Sequence, residues 1–237
     1  MTPAQRISES IRTAAAGGEP ALVAYLTAGF PLRARFGEHV RALARAADVV
    51  EIGVPFTDPM ADGVTIQRAS LAALGAQPAP LLLMSYLNPL LAFGPRLPAR
   101  ARSAGVAGFI VPDLPLDESS ELRGALSAQG LALVQMVTPV TQPERLRQLC
   151  AGAEGFVYAV TMTGTTGKNV AVPEDVVQYL DGVRALAQVP VCAGFGIRTR
   201  EQVLRLRGHV DGVVVGSALV EVLERGEPPG KWLSELR

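Results

Sequence analysis

The sequence predicts an α/β protein that folds as a (β/α)8 TIM barrel, and two observations support this prediction. Short apolar runs recur along the chain, with starts about 23 to 33 residues apart, and they are almost continuously apolar. Strands that are covered on both faces, as in a parallel sheet, have this composition. The intervals between the runs carry helical periodicity, so each interval is predicted to hold a helix. Eight such units favour a closed barrel over the alternative, an open doubly wound sheet, which more often stops at about five to seven strands.

The predicted strands can be placed on the chain in order. They are ALVAYLTAG from Ala21, VVEIGV from Val49, LLLMSY from Leu81, GFIVPD from Gly108, LALVQMV from Leu131, FVYAVT from Phe156, VPVCAGFG from Val189 and GVVVGSA from Gly212. The segment before the first strand predicts a short helix that ends at Gly17 and Gly18 and plugs the lower end of the barrel. No linker divides the chain, so residues 1–237 are predicted to form one domain.

Composition excludes several classes of function. The 237 residues include 22 Lys plus Arg and 22 Asp plus Glu, so the net charge is zero, and no stretch gathers the basic residues. Nucleic acids and anionic membranes are therefore not expected as partners. No apolar run approaches the roughly 20 residues that span a bilayer, and the first residues do not resemble a signal peptide, so we expect a cytoplasmic protein. Cys150 and Cys192 lack the spacing of metal ligands, and no metal site is predicted.

Glu51 is the first polar residue that interrupts a predicted strand. An unpaired carboxylate in a strand buried on both faces costs about several kcal/mol unless it is protonated or partnered. A carboxyl with a raised pKa is what a general acid and base requires. The structural alternative is an ion pair with an Arg on a neighbouring strand, but the eight apolar runs contain no Arg or Lys. Glu51 is therefore the leading catalytic candidate.

The loop after the second strand holds two more carboxylates, Asp58 and Asp62. Each has a simple structural explanation, because Asp58 precedes a proline and Asp62 stands where it could cap a helix. A second carboxylate near the barrel mouth would also stabilise positive charge that develops on a distant ring nitrogen during a reaction. Asp62 is the candidate for that role.

The last two strands end in glycines, and this pattern predicts a phosphorylated substrate. The seventh strand is followed by Gly194, Phe195 and Gly196, and the eighth by Gly216 and Ser217. Backbone amides at two adjacent helix starts can surround a phosphate, and barrels commonly bind phosphate after strands seven and eight. The alternative is that these glycines only relieve crowding at tight turns.

Further polar and aromatic residues lie near the predicted strand ends. The Gly- and Thr-rich segment 161–169 predicts a lid that excludes water, and its spacing does not match a nucleotide-binding loop. Tyr25, Tyr86 and Tyr158 either line an aromatic pocket or pack in the core. Asp113, at the end of the fourth strand, is either a turn residue or a residue of the site mouth.

The segment VEIGVPFTDPMADGVTIQRAS, from Val50 to Ser70, resembles the signature of the tryptophan synthase α subunit family. The resemblance continues in order through LTAGFP at Leu26, LMSYLNP at Leu83, FIVPDLP at Phe109, VYAVTMTGTTG at Val157, CAGFGI at Cys192 and DGVVVGSALV at Asp211. It covers nearly the whole chain. It implies a (β/α)8 barrel and a lyase of tryptophan biosynthesis that cleaves indole-3-glycerol phosphate to indole and glyceraldehyde 3-phosphate by a retro-aldol reaction.

The resemblance also implies a role for each candidate residue. Glu51 matches the catalytic acid and base, Asp62 the carboxylate that binds the indole NH, and Tyr158 the active-site tyrosine. Thr166 matches the lid threonine, and Asp58 matches a loop residue that contacts the partner. Substrate or phosphate binding is implied for Gly167, Gly194, Phe195, Gly196, Gly216, Ser217, Tyr25 and Tyr86.

The same resemblance implies a protein partner. The α subunit of this family assembles with a β subunit in an α2β2 complex, and indole passes internally between them. Pyridoxal phosphate belongs to that β subunit, so no cofactor is expected in this chain.

The chain departs from the family pattern at three places. Between Leu74 and Leu81 only GAQPAP remains, about 20 residues fewer than usual, so the barrel is predicted to lack one outer helix between strands two and three. A neighbouring element or a partner then covers that wall, or the chain omits a segment. Met162 occupies a lid position that is often basic, and the chain ends at LSELR, earlier than the family's last helix usually does.

Two alternative functions remain open at this stage. One is another phosphate-binding barrel, such as an isomerase or epimerase of sugar phosphates, although that class gives no reason for the tandem Asp58 and Asp62. The other is a catalytically weak or inert barrel that mainly binds and activates the β subunit.

Overall fold

The protein forms a closed barrel of eight parallel strands, in the order β1 to β8, with β8 paired to β1. The computed structural model describes residues 1–55, 78–161, 173–194 and 196–237. The strands are β1 Ala21–Thr27, β2 Val49–Gly53, β3 Leu81–Met84, β4 Val106–Ile110, β5 Ala132–Val137, β6 Val157–Val160, β7 Val191–Gly194 and β8 Gly212–Val215. Each lies within or next to one of the apolar runs, so the predicted TIM barrel is confirmed.

Helices surround the barrel, and in the described residues one or two of them follow every strand except β2, whose connection to β3 lies outside those residues. In the described residues they are α1 Pro3–Ala16, α2 Phe36–Ala46, α3 Leu87–Phe93, α4 Leu97–Ser103, α5 Ser120–Ser127, α6 Pro143–Ala151, α7 Glu174–Leu186, α8 Arg200–Arg205, α9 Ser217–Glu224 and α10 Pro229–Ser234. Single 3-10 turns occupy Arg33–Arg35 and Leu116–Glu118. No helix in these ranges is long and apolar enough to cross a membrane.

The predicted absence of an outer helix between β2 and β3 concerns residues 56–77, which lie outside the described residues. Helix α10 is the last of the chain, and it packs onto the outer layer. Leu233 and Leu236 are buried, and the Gly230 Cα approaches the backbone of Ala42 so closely that an added Cβ would lie 3.1 Å from the Ala42 carbonyl oxygen. The carboxyl end of the chain is therefore anchored on α2.

The core has two layers because successive strand residues face opposite sides of the sheet. The larger layer lies between the strands and the helices and includes Leu22, Ile52 and Phe109. The smaller fills the barrel interior and includes Val23 and Phe156. The β3–β4 register shifts at Leu81 and Leu82, which places a bulge in this part of the wall.

Helix α1 closes the lower end of the barrel, as predicted from the sequence. Ile7 and Ile11 are fully buried in the interior layer. The Ser8 hydroxyl donates to the Gly155 carbonyl, and the Ser10 hydroxyl donates to the Asp48 carbonyl at 2.7 Å. The helix is thereby fixed to the turns that lead into β6 and β2, and the opposite end of the barrel is left for chemistry.

Carboxylates brace the same lower end in a repeated arrangement. Asp48, Glu154 and Asp211 each precede an even-numbered strand and accept the backbone N–H of a residue at the start of the preceding strand at 2.8 Å. Each also pairs with an arginine: Asp48 with Arg237, Glu154 with Arg123 and Asp211 with Arg184. These three carboxylates at the amino ends of the strands therefore have a structural role.

Candidate active site at the carboxyl ends of the strands

Glu51 is the central residue of β2 and points into the barrel interior. It is fully buried, and neither carboxyl oxygen has a hydrogen-bond partner among the described residues. No ion pair in those residues includes it, so the structural alternative of a neighbouring Arg does not apply. Burial raises the pKa of Glu51 to about 8. The side chain therefore holds a proton at neutral pH and can donate it.

Two tyrosines lie beside this carboxyl inside the barrel. Tyr25 is the register partner of Glu51 on β1, and Tyr158 on β6 is almost completely buried. Burial raises the pKa of both phenols, and the charge of Glu51 raises both further. The two hydroxyls consequently stay protonated around the carboxyl, and the structure brings three predicted site residues together.

Two glycines at strand ends leave room for these rings because they carry no side chain. A Cβ added at Gly53 would lie 2.2 Å from the Tyr25 hydroxyl oxygen, and one added at Gly194 would lie 2.5 Å from that of Tyr158. Real Cβ atoms do not approach other atoms so closely. Gly194, expected from the sequence to bind phosphate, is thus also required by the packing of Tyr158, and Gly53 is a site residue that sequence reasoning did not identify.

The start of α9 offers backbone amides to an anion. Gly216 is the N-cap of this helix, and no side chain caps it, while the next residue, Ser217, is exposed. Gly196, between β7 and α8, has φ 85°, a left-handed conformation that favours glycine. Free N–H groups at a helix start and the helix dipole favour a phosphate here. The glycines and the serine that the sequence predicts to bind phosphate therefore lie at the ends of the neighbouring strands β7 and β8. In the described residues they are Gly194, Gly196, Gly216 and Ser217.

Thr161 adds a contact that the sequence did not reveal. Its backbone N–H and its hydroxyl both donate to the Gly194 carbonyl, at 3.0 and 2.8 Å. This double contact fixes the carboxyl end of β7 against the carboxyl end of β6. A threonine at a strand end gives no sequence pattern from which such a contact could be read.

Two predicted residues lie away from the central cluster. Tyr86 is the N-cap of α3 and is 44% exposed, so it stands at the rim and not in the interior. Asp113, which the sequence left open, accepts the Leu87 backbone N–H at 2.9 Å and so caps α3 from the next loop. The position of Asp113 is explained by this structural role.

Five predicted site residues lie outside the described residues. They are Asp58, Asp62, Thr166, Gly167 and Phe195. Met162 is also outside them. Within the described ranges, no group of three or more His, Cys, Asp or Glu residues could hold a metal ion.

A separate cavity of about 290 Å³ lies between β5, α6 and the loop after β4. Its polar side chains already have partners: Arg145 pairs with Asp117, and the Gln135 amide donates to the Leu133 carbonyl at 3.3 Å. Glu51, Tyr25 and Tyr158 do not line it. The cavity is therefore distinct from the candidate site.

Comparison with known proteins identifies the family. A family model described as "Tryptophan synthase alpha chain" matches residues 11–79 and 75–231, which together cover most of the chain. The chain belongs to this family. Membership makes it a lyase of the tryptophan synthase alpha class and places it in tryptophan biosynthesis. The two matched segments overlap at residues 75–79, and this overlap lies within the connection that the sequence predicts to be shortened.

Individual alpha chains are similar over almost their full length. The tryptophan synthase alpha chain of Solidesulfovibrio magneticus is 42% identical over 250 residues, covering 98% of both chains. That of Carboxydothermus hydrogenoformans is 41% identical over 238 residues, covering 92% of this chain and 89% of its own.

Solved structures of the family have the same fold. The alpha subunit from Legionella pneumophila str. Paris superposes with a TM-score of 0.82 at 29% identity, covering 100% of this chain and 97% of its own. A chain of the α2β2 complex from Pyrococcus furiosus gives a TM-score of 0.76 at 33% identity, covering 92% of this chain and 97% of its own.

Proposed function

We propose that the chain cleaves indole-3-glycerol phosphate to indole and glyceraldehyde 3-phosphate. The observation that carries this proposal is the carboxyl of Glu51, which is fully buried without a hydrogen-bond partner among the described residues, inside the barrel of a tryptophan synthase alpha chain. A retro-aldol cleavage needs one group that first gives and then takes a proton, and a carboxyl with a pKa of about 8 is suited to both steps.

Glu51 performs both proton transfers in this mechanism. The neutral carboxyl donates its proton to C3 of the indole ring, which leaves a carboxylate and a positively charged ring. The carboxylate then removes the proton of the hydroxyl on the carbon bonded to C3. The bond between that carbon and C3 breaks, its electron pair neutralises the ring, and the oxygen forms the aldehyde. Glu51 ends the cycle protonated, as it began.

The two ends of the substrate are held by different residues. Backbone amides at Gly196, Gly216 and Ser217 bind the phosphate, because these positions lie at the ends of β7 and β8. We assign the indole NH to Asp62, and further contacts to Phe195, Gly167, Thr166 and the rim residue Tyr86. Tyr158 lies close enough to Glu51 for the carboxyl charge to raise the pKa of the phenol, and we place its ring beside the reacting indole.

The lyase step requires no cofactor in this proposal, because one carboxyl supplies both proton transfers and Asp62 balances the charge of the ring. Pyridoxal phosphate belongs to the partner β subunit. Dialysis of the purified chain against a chelator should therefore leave indole release unchanged.

The partner is a β subunit that docks on the rim at the carboxyl ends of the strands, with Asp58 in contact. The solved Pyrococcus furiosus relative is an α2β2 complex. Large apolar side chains are exposed on the same rim of this chain: Leu32, Leu91 and Val140 are 60%, 63% and 73% exposed. Exposed apolar groups around a site mouth are typical of a protein interface. Docking there gives indole a route to the partner without release into water.

The closed barrel further supports a single domain over residues 1–237, and we place the protein in the cytoplasm with the other enzymes of small-molecule biosynthesis. Homology to named alpha chains does not favour the catalytically inert barrel.

An assay of indole release tests the proposed function. The purified chain is incubated with indole-3-glycerol phosphate, with and without a β subunit, and indole and glyceraldehyde 3-phosphate are quantified. We expect equal amounts of both products and faster release with the β subunit. Sugar phosphates serve as the control substrates for the isomerase alternative, and turnover of those alone would contradict the proposal.

A further inference from the structure

Tyr25 and Thr27 form a pair of hydroxyls at the mouth of the barrel. Both are on the interior face of β1, two residues apart, and both are half-buried. Tyr25 is the register partner of Glu51, and Thr27 is that of Gly53. Tyr25 therefore starts at the level of the Glu51 carboxyl and its hydroxyl reaches the level of Gly53, where Thr27 stands one layer above the carboxyl, on the side from which a substrate enters.

The contact between the two hydroxyls is loose. Their oxygens are 3.4 Å apart, whereas hydroxyl hydrogen bonds are usually about 2.5 to 3.0 Å long. Neither side chain makes another hydrogen bond among the described residues. Two hydroxyls joined by one hydrogen bond keep one donor hydrogen and several lone pairs. Each of the two oxygens is thus able to exchange this contact for one with a substrate hydroxyl.

The Tyr25 side chain bridges the two ends of the site. One edge of its ring would lie 3.6 Å from a Cβ at Gly216, the N-cap of α9 where the phosphate is proposed to bind. The opposite edge carries the hydroxyl and lies over Gly53, two residues beyond Glu51 on β2. The hydroxyl pair therefore lines the path between the carboxyl and the phosphate position.

Glycerol is the part of the substrate that spans this path. Its first carbon, bonded to the indole, reacts at Glu51, and its third carbon carries the phosphate. The middle carbon bears a hydroxyl that remains in glyceraldehyde 3-phosphate. Resting on the function proposed above, we propose that Tyr25 and Thr27 bind this middle hydroxyl and so select substrates that carry it. Tyr25 then contributes a hydrogen bond in addition to its aromatic surface.

Steady-state kinetics of indole release test this assignment. Tyr25→Phe and Thr27→Val should each raise KM for indole-3-glycerol phosphate about three- to tenfold, the effect of losing one hydrogen bond. The value of kcat should change by less than about twofold, because the middle hydroxyl is unaltered by the reaction and is bound equally before and during it. Tyr179→Phe is the matched control, since the Tyr179 hydroxyl is buried in the outer layer on α7 and has no hydrogen-bond partner in the described residues. It should leave KM unchanged.

A substrate analogue without the middle hydroxyl separates hydrogen bonding from packing. The wild type and both variants should bind this deoxy compound with equal affinity, measured calorimetrically. If Tyr25→Phe weakens the deoxy compound as much as the natural substrate, Tyr25 acts through packing and the assignment is wrong. An unchanged KM, or a loss confined to kcat, also overturns it. A wild type that releases no indole overturns the proposed function together with this inference, whereas an active wild type with an unaffected Tyr25→Phe variant overturns the inference alone.

Discussion

At the scale of single residues, the burial of Glu51 makes the stability of the protein depend on pH. In the folded protein its carboxyl loses hydration and gains no hydrogen bond from a described residue, and burial raises its pKa from 4.5 to about 8. Between these pH values the unfolded chain releases the proton and the folded chain keeps it. The free energy of unfolding therefore falls as the pH rises from about 4.5 to about 8 and then levels off.

Glu51→Gln should remove this loss of stability. The amide has nearly the same shape and does not ionise, so at pH 8 the variant should be more stable than the wild type by a few kcal/mol, on the order of the shift in pKa. Near pH 4.5 the two proteins should be almost equally stable. Urea unfolding followed by circular dichroism at both pH values measures the difference. A wild type whose stability relative to the variant is independent of pH would show that Glu51 ionises normally.

Gly53→Ala tests whether the Tyr25 ring needs the space that glycine leaves at position 53. The added methyl would lie 2.2 Å from the Tyr25 hydroxyl oxygen, and the rigid ring cannot yield locally. We expect a loss of about 1 to 3 kcal/mol in stability and at least a tenfold loss in kcat/KM for indole release. The control is Gly124→Ala, because that exposed glycine of α5 has no atom within 4 Å of the added Cβ. Gly124→Ala should be neutral or slightly stabilising, and equal effects of both variants would contradict the account.

The sequence indicated the central residues of the candidate site better than the residues around them. Glu51 was recognisable because a carboxyl interrupts an apolar strand, and Tyr158 because its motif matches a family. Gly53, Thr27 and Thr161 were missed, since their importance depends on which ring or carbonyl lies opposite in space. Side-chain contacts between strands that are distant in the chain leave no local pattern.

At the scale of elements, the lower ends of the strands are fixed by side chains. The Asp48 carboxylate joins the start of β1 to the turn before β2 through the Leu22 N–H at 2.8 Å, and it holds Arg237 at the end of the chain. The same arrangement recurs at Glu154 and Asp211. These contacts connect neighbouring βα units in addition to the hydrogen bonds of the sheet.

Asp48→Ala should therefore destabilise the barrel while leaving its chemistry intact. Removal of a largely buried acceptor for a backbone N–H costs about 1.5 to 3 kcal/mol. Glu9→Ala, at an exposed carboxyl of α1, should change the stability by less than about 0.5 kcal/mol. Thermal unfolding gives both values, and kcat for indole release should remain at the wild-type level in the folded variant. A variant as stable as the wild type would show that these carboxylates are dispensable.

The order of elements was predictable, and their details were not. Every strand was found from its apolar run, because both faces of a parallel sheet are buried. The division of the interval after β3 into α3 and α4, the bulge in β4 and the carboxylates below β1, β5 and β7 were not foreseen. Each depends on backbone geometry or on a partner distant in the sequence.

At the scale of the whole molecule, the two ends of the barrel differ in character. The lower end is closed by α1 and by paired charges, whereas the upper end combines a buried carboxyl, glycine-lined strand ends and an apolar rim. The contacts that join the βα units at the lower end are therefore separate from the residues of the candidate site. This division also leaves the rim available for a partner.

Leu91→Asp should weaken binding of the β subunit. Leu91 lies on α3 at the rim and is 63% exposed, so the substitution costs little stability but places a charge in the proposed interface. We expect at least tenfold weaker binding by calorimetry, with unchanged indole release by the isolated chain. Leu204→Asp, at a partly exposed leucine of the outer helix α8, is the control. Equal affinity of both variants for the β subunit would place the interface elsewhere.

The most direct test of the central claim, that Glu51 carries both protons, is a single-turnover measurement of indole release by the wild type and Glu51→Gln. Both proteins are used in excess over indole-3-glycerol phosphate, and the affinity of each for indole-3-propanol phosphate is measured as the control for an intact site. We expect a rate at least about a hundredfold lower for the variant, with affinities equal within about twofold. A variant that binds the analogue and releases indole within about tenfold of the wild-type rate would contradict the claim.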